Sequence, residues 1–327
     1  MNIVVIGLGS MGRRRIRLIQ GIDVDVNVFG IDNCFNRCEQ VEQEFGINCF
    51  NSITESLSAK EINSVFICTP PITHSAIILE CLHNKLHVFT EINLLADKYD
   101  EIIKLANKNQ CKLFLSSTML YRKEIQKIIH SIPQTRTAIR YHYHVGQYLP
   151  DWHPWESYKD FFAGDKQTNG CREIFAIELP WMIEAFGKII KINVFKDKVS
   201  DLEIDYPDTF LLMAEHESGV KGTFAVDVIS RKPVRNLEIY SPTMHLFWDG
   251  TPRGLSTYDV KTKKLNVLNL YKNVIENSDY ADYIIEDAYI AEIETFFNIL
   301  NGDHSGEKYT INNDMYTLGL IDDIEAK

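Results

Sequence analysis

Short apolar runs alternate with amphipathic segments along the first part of the chain. Ile3 to Ile6 is a β-branched run, which is typical of a strand buried on both faces of a parallel sheet. Strands are predicted at Ile3–Ile6, Val24–Ile31, Ile47–Phe50, Asn63–Cys68, Leu86–Thr90 and Lys112–Ser116. Helices are predicted between them at Arg14–Gln20, Phe35–Phe45, Thr54–Ala59, His74–Asn84 and Lys98–Lys108. This alternation predicts an α/β, doubly wound parallel sheet with right-handed crossovers.

The pattern changes after Ser117. A helix at Arg122–Ser131 leads into an alternating strand at Thr135–Val145, and an aromatic, polar loop follows at Gly146–Tyr158. Further strands are predicted at Lys191–Lys196, Phe210–His216, Gly222–Ile229, Arg235–Ser241 and Met244–Trp248, and closing helices at Tyr283–Leu300 and Asn313–Ala326. Consecutive strands without helices between them predict an α+β region whose largely antiparallel sheet leaves one face open.

The first predicted strand ends in three glycines spaced G-x-G-x-x-G. Gly7 permits a sharp turn, Gly9 lets a pyrophosphate approach bare backbone, and Gly12 lets the next helix pack closely on the strand. The unpaired N–H groups that open this helix, around Ser10 to Arg13, are predicted to face an anion. A strand precedes the motif and a helix follows it, as the dinucleotide-binding corner of a Rossmann fold requires.

An acidic residue stands where this corner needs one. Asp32 ends the second predicted strand, twenty residues after Gly12, where a carboxylate bonds the adenosine ribose hydroxyls. Because a carboxylate repels a 2′-phosphate, we predict NAD rather than NADP. Four arginines in the following helix are able to neutralise an extra phosphate: Arg13, Arg14, Arg15 and Arg17. Most of them are predicted on the solvated face of the helix, with one or two near the pyrophosphate.

The ends of the other predicted strands belong to the same site, because ligands of such sheets lie beyond the carboxyl ends of the strands. His74 is predicted to cap the helix that it opens or to line the nicotinamide side. The predicted coenzyme-binding residues are Gly7, Gly9, Ser10, Met11, Gly12, Asp32, Thr69, Pro70, Pro71, His74 and Glu91.

Composition narrows the class of protein. The chain has 327 residues and a net charge of −11, which argues against nucleic acid as a partner. Its seven cysteines are scattered and form no C-x-x-C pair, so a reducing cytoplasm is expected. Neither a signal peptide nor a transmembrane helix is predicted. Two domains are predicted: a dinucleotide-binding Rossmann domain at 1–118 and a second domain at 119–327, whose last helix at about 313–326 is able to pack back on the first.

Three stretches resemble the Gfo/Idh/MocA oxidoreductases: VVIGLGSMG at Val4–Gly12, VFICTPPITH at Val65–His74 and HVFTE at His87–Glu91. The loop GQYLPDWHPWESY at Gly146–Tyr158 is similar to that of a subgroup found among sugar-modifying enzymes. The resemblance implies NAD(P)-dependent hydride transfer at a sugar, cyclitol or sugar-nucleotide carbon. It also implies a substrate site on the second domain and a homo-oligomer, a dimer or tetramer, formed through the open sheet.

The catalytic positions depart from the pattern of this family. Where the family has Glu-Lys-Pro, this chain has Glu91, Ile92 and Asn93, and Ile92 can neither accept a proton nor polarise a carbonyl. A second pattern, glycine-rich and followed by Asp and His, maps onto Asn169–Glu178 and places Ile174 and Ile177 at those positions. Either hydride transfer continues with another group, or the chain binds dinucleotide and sugar without a net redox reaction. We favour the enzyme, with Glu178, His153, Asn93 or Tyr121 as candidate catalytic groups.

The resemblance also suggests substrate contacts. Arg122 follows the last Rossmann strand, where the family often places a substrate-contacting arginine suited to phosphate or carboxylate. Trp152 and Trp155 offer flat faces for stacking on a sugar ring, although a loop pinned by buried tryptophans explains them equally well. His142 and His144 share one strand face, but no third ligand with suitable spacing follows, so no metal site is predicted.

Overall fold

The computed structural model describes residues 1–22, 25–132, 138–154, 156–272 and 285–327. These residues form two compact units. The first contains Met1–Thr118 and Tyr289–Leu318, and the second contains Met119–Ala288 and Gly319–Lys327. The prediction assigned 119–327 to the second domain, with its last helix at about 313–326 able to pack back on the first. The contacts assign Tyr289–Leu318 to the first unit.

The first unit is built on a parallel sheet of six strands in the order β3-β2-β1-β4-β5-β6, which confirms the doubly wound fold. The strands are β1 Asn2–Ile6, β2 Asn27–Ile31, β3 Asn48–Phe50, β4 Ser64–Ile67, β5 His87–Thr90 and β6 Leu113–Leu115. The helices between them are α1 Ser10–Ile22, α2 Phe35–Phe45, α3 Ile53–Ala59, α4 His74–His83 and α5 Tyr99–Asn109. The second strand is shorter than predicted, and Val24 lies outside the described residues.

The second unit contains a sheet of eight strands in the order β14-β13-β12-β11-β7-β10-β9-β8. All its pairs are antiparallel except β7 with β10. Two helices, α6 Lys123–Ser131 and α7 Gly170–Phe186, belong to this unit. The strands are β7 Arg140–Gly146, β8 Ile189–Asp197, β9 Thr209–His216, β10 Lys221–Asp227, β11 Val234–Ser241, β12 Met244–Trp248, β13 Ser256–Asp259 and β14 Lys264–Val267. The open-faced α+β sheet is therefore confirmed.

One face of this sheet is covered and the other is open. Phe175 and Phe186 on α7 are buried against the strands. The ring of Phe186 stacks on Tyr141 at 4.8 Å, and that of Phe175 meets Phe210 edge-on at 5.3 Å. On the opposite face Phe195, Leu211 and Met213 are between 58% and 69% exposed. This alternation along the strands leaves an apolar surface that the single chain does not cover.

Two helices close the described chain, α8 Glu286–Leu300 and α9 Ile311–Ala326. Phe296 of α8 packs edge-on against Phe66 and Phe89 of the parallel sheet, at ring distances of 5.4 and 5.7 Å. Buried aromatic contacts of this kind explain why Tyr289–Leu318 joins the first unit. None of the helices in the described ranges is long and apolar enough to cross a membrane.

Candidate functional site

The glycine corner between β1 and α1 is held by close backbone contacts. Gly7 has a φ of +90°, and its N–H donates to the carbonyl oxygen of Ile31 at 2.8 Å. A Cβ at Gly12 would lie 1.9 Å from the carbonyl oxygen of Gly7. Both positions therefore require glycine for steric reasons that involve no ligand.

Gly9 is different, because the space around it is open. Gly9 directly precedes Ser10, the first residue of α1. A Cβ built on Gly9 would meet nothing within 4 Å. The bare backbone and the unpaired N–H groups of Ser10 and Met11 are therefore able to receive an anion. This open cradle fits the pyrophosphate of a dinucleotide.

Asp32 lies beside this corner at the end of β2. Its Oδ2 accepts the N–H of Leu8 at 2.7 Å, and its Oδ1 accepts the N–H of Cys34 at 2.8 Å. The half-exposed guanidinium of Arg37 lies 3.7 Å from Oδ2. These contacts hold the carboxylate where a ribose is expected. Its role in binding NAD stays a prediction.

The prediction that most of the arginines of α1 lie on a solvated face was wrong, because two of the four are buried and the other two are half-buried. Arg14 and Arg15 are buried, with exposures of 3% and 0%. Arg15 donates from Nε to Glu91 Oε1 at 2.5 Å and from Nη2 to Glu292 Oε2 at 2.8 Å. Arg15 is not solvated because the helix directs it towards these two acids, and Arg14 lies over the ring of Tyr289, 4.6 Å from its centroid.

Glu91 therefore has a structural partner. It was predicted to bind the coenzyme, but both of its oxygens accept from Arg15. Glu292 is fully buried and also accepts from the N–H of Ser117 at 2.8 Å and the hydroxyl of Ser116 at 2.9 Å. Burial raises the pKa of the Glu292 carboxyl, against the opposing effect of Arg15.

The segment after β4 carries the remaining predicted coenzyme residues of the first unit. Thr69 is half-buried, Pro70 is exposed, and Pro71 opens a short 3₁₀ turn before α4. His74 is the first residue of α4, and its Nε2 lies 2.8 Å from the carbonyl oxygen of Thr69. The ring therefore holds this loop rather than capping the helix. Burial lowers the pKa of His74.

Asn93 belongs to a buried polar network. Its Oδ1 lies 2.8 Å from Nδ1 of His74, and its side chain also hydrogen-bonds to Asp314. The Asp314 carboxylate accepts the hydroxyl of Tyr309 at 2.9 Å and that of Tyr99. Burial raises the pKa of Asp314 to about 6. These contacts hold the Asn93 amide on both sides, so its predicted role in placing a catalytic water has no support in its surroundings.

Glu178, the leading candidate base, is enclosed by donors. Its Oε2 accepts the hydroxyl of Tyr143 at 2.6 Å and the indole N–H of Trp181 at 2.7 Å. Its Oε1 accepts Nε of Arg235 at 3.0 Å and Nη2 at 2.8 Å. The side chain is 0% exposed. Such a carboxylate orients its neighbours, and its catalytic role stays a prediction that these contacts do not favour.

The predicted substrate residues are engaged within the second unit. Arg122 is buried, donates to Glu124 at 2.7 Å and to the carbonyl oxygen of Gly250 at 3.0 Å, and lies over the ring of Trp248. Tyr121 is also buried. A guanidinium paired in this way supports a structural role, and its contact with a substrate stays a prediction.

The aromatic loop is pinned by its own contacts. Trp152 donates its indole N–H to the carbonyl oxygen of Gln147 at 3.1 Å, and Nδ1 of His153 lies 2.7 Å from Glu156. The rings of His153 and Phe161 lie against each other at a tilt of 38°, with their centroids 3.9 Å apart. Trp155 lies outside the described residues.

The open sheet face contains a cavity of about 750 Å³ lined by polar and aromatic groups. On this face Nε2 of His144 lies 2.7 Å from Asp227, and Nδ1 of His142 lies 2.8 Å from the Thr223 hydroxyl. Within the described ranges no group of three or more His, Cys, Asp or Glu side chains could hold a metal ion.

Residues 1–117 match the family profile described as oxidoreductase family, NAD-binding Rossmann fold, which is the Gfo/Idh/MocA profile. Over these residues the chain is similar to the Gfo/Idh/MocA oxidoreductases. A curated relative, myo-inositol 2-dehydrogenase from Thermotoga maritima, is 26% identical over 137 residues. That match spans 40% of this chain and 40% of the relative.

Solved structures resemble the chain over nearly its whole length. The WlbA dehydrogenase from Chromobacterium violaceum, in complex with NADH and UDP-GlcNAcA, is 13% identical with a TM-score of 0.78, covering 99% of this chain and 92% of that one. The UDP-N-acetylglucosamine 3-dehydrogenase GnnA from Acidithiobacillus ferrooxidans is 18% identical with a TM-score of 0.77, covering 100% and 97%. At these identities the likeness establishes the fold.

Proposed function

We propose that this protein is an NAD-dependent oxidoreductase that acts on the hydroxyl or keto carbon of a sugar, cyclitol or sugar nucleotide. The observation that carries the proposal is the open backbone at Gly9, beside the carboxylate of Asp32. An open cradle next to a fixed acid suits a bridged diphosphate and its ribose. The names of the relatives support the substrate class, since they act on inositol and on amino-sugar nucleotides.

The coenzyme, when bound, supplies the carbon that accepts or donates hydride. This chain's residues then have three tasks. Gly9, Ser10 and Met11 would hold the pyrophosphate through backbone N–H groups, and Asp32 would accept from the ribose hydroxyls. Thr69, Pro70 and Pro71 would line the nicotinamide end. The hydroxyl proton needs an acceptor, which Ile92 cannot be.

A redox-inactive protein that binds dinucleotide and sugar is the second candidate. The half-buried Ile92 stands at the family lysine position, and Glu178 is saturated by four donors. Such a protein would act as a regulatory or structural partner. It would bind NADH as the enzyme does and oxidise none of the sugars offered.

The open face of the second sheet supports a homo-oligomer. Phe195, Leu211 and Met213 form an exposed apolar surface of the kind that a second copy covers in a symmetric dimer or tetramer. The seven cysteines are all free thiols, which supports the proposed cytoplasmic location.

Calorimetric titration with NAD⁺ and NADH tests the coenzyme site. Gly9→Val should abolish binding because its side chain fills the cradle, and Asp32→Ala should weaken it. Gly21→Val is the matched control, since Gly21 lies at the other end of α1 with nothing within 4 Å of its Cβ position. Unchanged binding by the Gly9 variant would refute the placement of the pyrophosphate.

Turnover decides between the two candidate functions. A panel of sugars, cyclitols and UDP-sugars should produce NADH absorbance with at least one compound. NADH binding without turnover on any compound would favour the redox-inactive protein.

A further inference from the structure

The loop that follows β4 lies between the glycine corner and a buried histidine. A Cβ built on Gly7 would lie 2.8 Å from the carbonyl oxygen of Cys68 and 2.9 Å from Cγ2 of Thr69. The carbonyl oxygen of Thr69 in turn lies 2.8 Å from Nε2 of His74. Because the loop and the corner are packed this closely, the hydrogen bond from His74 helps to fix the backbone beside the proposed pyrophosphate cradle.

Asn93 connects this histidine to an acid of the closing segment. Nδ1 of His74 lies 2.8 Å from Oδ1 of Asn93, and the side chain of Asn93 also hydrogen-bonds to Asp314. His74, Asn93 and Asp314 are all buried. Thr69, His74, Asn93 and Asp314 thus form a relay of hydrogen bonds, and all four residues belong to the first unit.

The relay needs one more proton than a neutral imidazole and a carboxylate supply. The Thr69 carbonyl oxygen only accepts, so Nε2 of His74 must hold a hydrogen. A carboxylate also only accepts, so the Asn93 NH₂ group donates to Asp314 and its oxygen faces Nδ1 of His74, which must then hold a second hydrogen. With the amide turned over, its oxygen would face Asp314, and the Asp314 carboxyl would have to be protonated instead.

The surroundings allow His74 and Asp314 to share this proton. The titratable neighbours are Tyr99 and Tyr309, whose hydroxyls donate to Asp314, and Glu91, whose charge interacts with His74. Burial raises the pKa of the Asp314 carboxyl to about 6 and lowers the pKa of His74. When the shared proton leaves at higher pH, a neutral imidazole holds one hydrogen for two acceptors, so one hydrogen bond of the relay is lost.

We propose that Asp314 is a positioning residue for the coenzyme site, because the proton that it shares with His74 keeps the Thr69 carbonyl hydrogen-bonded. This inference rests on the proposed coenzyme site. Loss of the proton loosens the loop proposed to line the nicotinamide end, and NAD⁺ binding weakens. Since linkage between two ligands is reciprocal, NAD⁺ binding at alkaline pH takes up a proton.

Calorimetric titration of the wild-type protein with NAD⁺ measures both effects. The dissociation constant should rise about 3- to 10-fold between about pH 5 and about pH 8, which corresponds to the loss of one hydrogen bond. Titrations at about pH 8 in buffers of different ionisation enthalpy should show that binding takes up a fraction of a proton. Tight NAD⁺ binding without pH dependence and without proton uptake would overturn the role of the relay and leave the coenzyme site intact.

Asp314→Asn separates positioning from a purely structural role. The new amide both donates and accepts, so it completes the relay with a neutral His74 and no ionisable carboxyl. The variant should bind NAD⁺ as wild type does at about pH 5, bind it more tightly than wild type at about pH 8, and take up no proton. Asp323→Asn, an exposed acid on the same helix, should follow wild type at both pH values. Binding weakened equally at every pH would instead show a structural role and contradict the proposal.

Asn93→Leu gives the same test if Asp314→Asn does not fold. This substitution disconnects His74 from Asp314, so a neutral His74 should donate to Thr69 at every pH and NAD⁺ binding should take up no proton. Wild-type pH dependence retained by a folded Asn93→Leu protein would overturn the relay. A wild-type protein that binds no NAD⁺ at either pH would overturn the proposed coenzyme site together with this inference.

Discussion

Replacing Asp314 with Asn should remove a pH-dependent contribution to stability from the first unit. The Asp314 carboxyl is 4% exposed and its pKa is raised from 3.8 to about 6 by burial. A carboxyl with a raised folded-state pKa favours the folded protein most at low pH. That contribution is lost as the pH rises through about 6.

The size of the effect follows from the two pKa values of Asp314. A difference of about 2.2 units corresponds to about 3 kcal/mol between the fully protonated and fully ionised limits. When the pH falls from 8 to 5, the stabilising contribution of Asp314 rises by about 1.4 kcal/mol, which is part of this total. Asn cannot ionise, so the stability difference between wild type and Asp314→Asn should change by this amount across the range.

Urea denaturation of the coenzyme-free protein at several pH values measures this difference. Asp314→Asn should also lower stability at every pH by about 1–2 kcal/mol, because one of the Tyr99 and Tyr309 hydroxyls loses its acceptor. The matched control is Asp323→Asn, an exposed acid on the same helix. If the difference in unfolding free energy between wild type and Asp314→Asn stays constant between pH 5 and pH 8, burial does not raise the pKa of Asp314 and the argument is refuted.

Three further predictions concern packing. Arg15→Met should destabilise the protein by about 3–5 kcal/mol in urea denaturation, since it leaves two acids without their cation; a loss under about 1 kcal/mol would contradict the ion-pair network. Gly12→Ala should lower the unfolding temperature strongly, because its Cβ overlaps the Gly7 carbonyl, whereas Gly9→Ala should not; equal effects would contradict the contacts of the corner. Leu211→Asp should reduce the oligomer mass in analytical ultracentrifugation, and an unchanged mass would exclude that face as the interface.

Local patterns were sufficient to predict the fold of the first unit. The β-branched run of β1, the glycine turn and the helix after it are adjacent in the chain, so hydrophobic periodicity and turn chemistry predict them directly. The helix α2 was predicted at its observed bounds, because Gly46, with a φ of +65°, ends it. Strands β13 and β14 were missed, since the four residues of β14 are all exposed and give no alternating pattern.

The side-chain contacts around the candidate site could not be predicted from the sequence. Arg15 and Glu292 are 277 residues apart, and no local signal links them. Glu173 and Glu178 lie on one helix with similar local sequence signals, yet Oε2 of Glu173 has no hydrogen-bond donor among the described residues and Glu178 has four. The two glutamates differ in the side chains that tertiary packing places beside them, chiefly Arg235 beside Glu178.

The assignment of Tyr289–Leu318 to the first unit has a consequence for synthesis of the protein. Domains generally fold as units as they leave the ribosome, amino-terminal first. Here the nascent chain emerges with Arg15 long before Glu292 and Phe296 have been translated. The first unit therefore completes its interior only near the end of translation, although its glycine corner is among the first residues made.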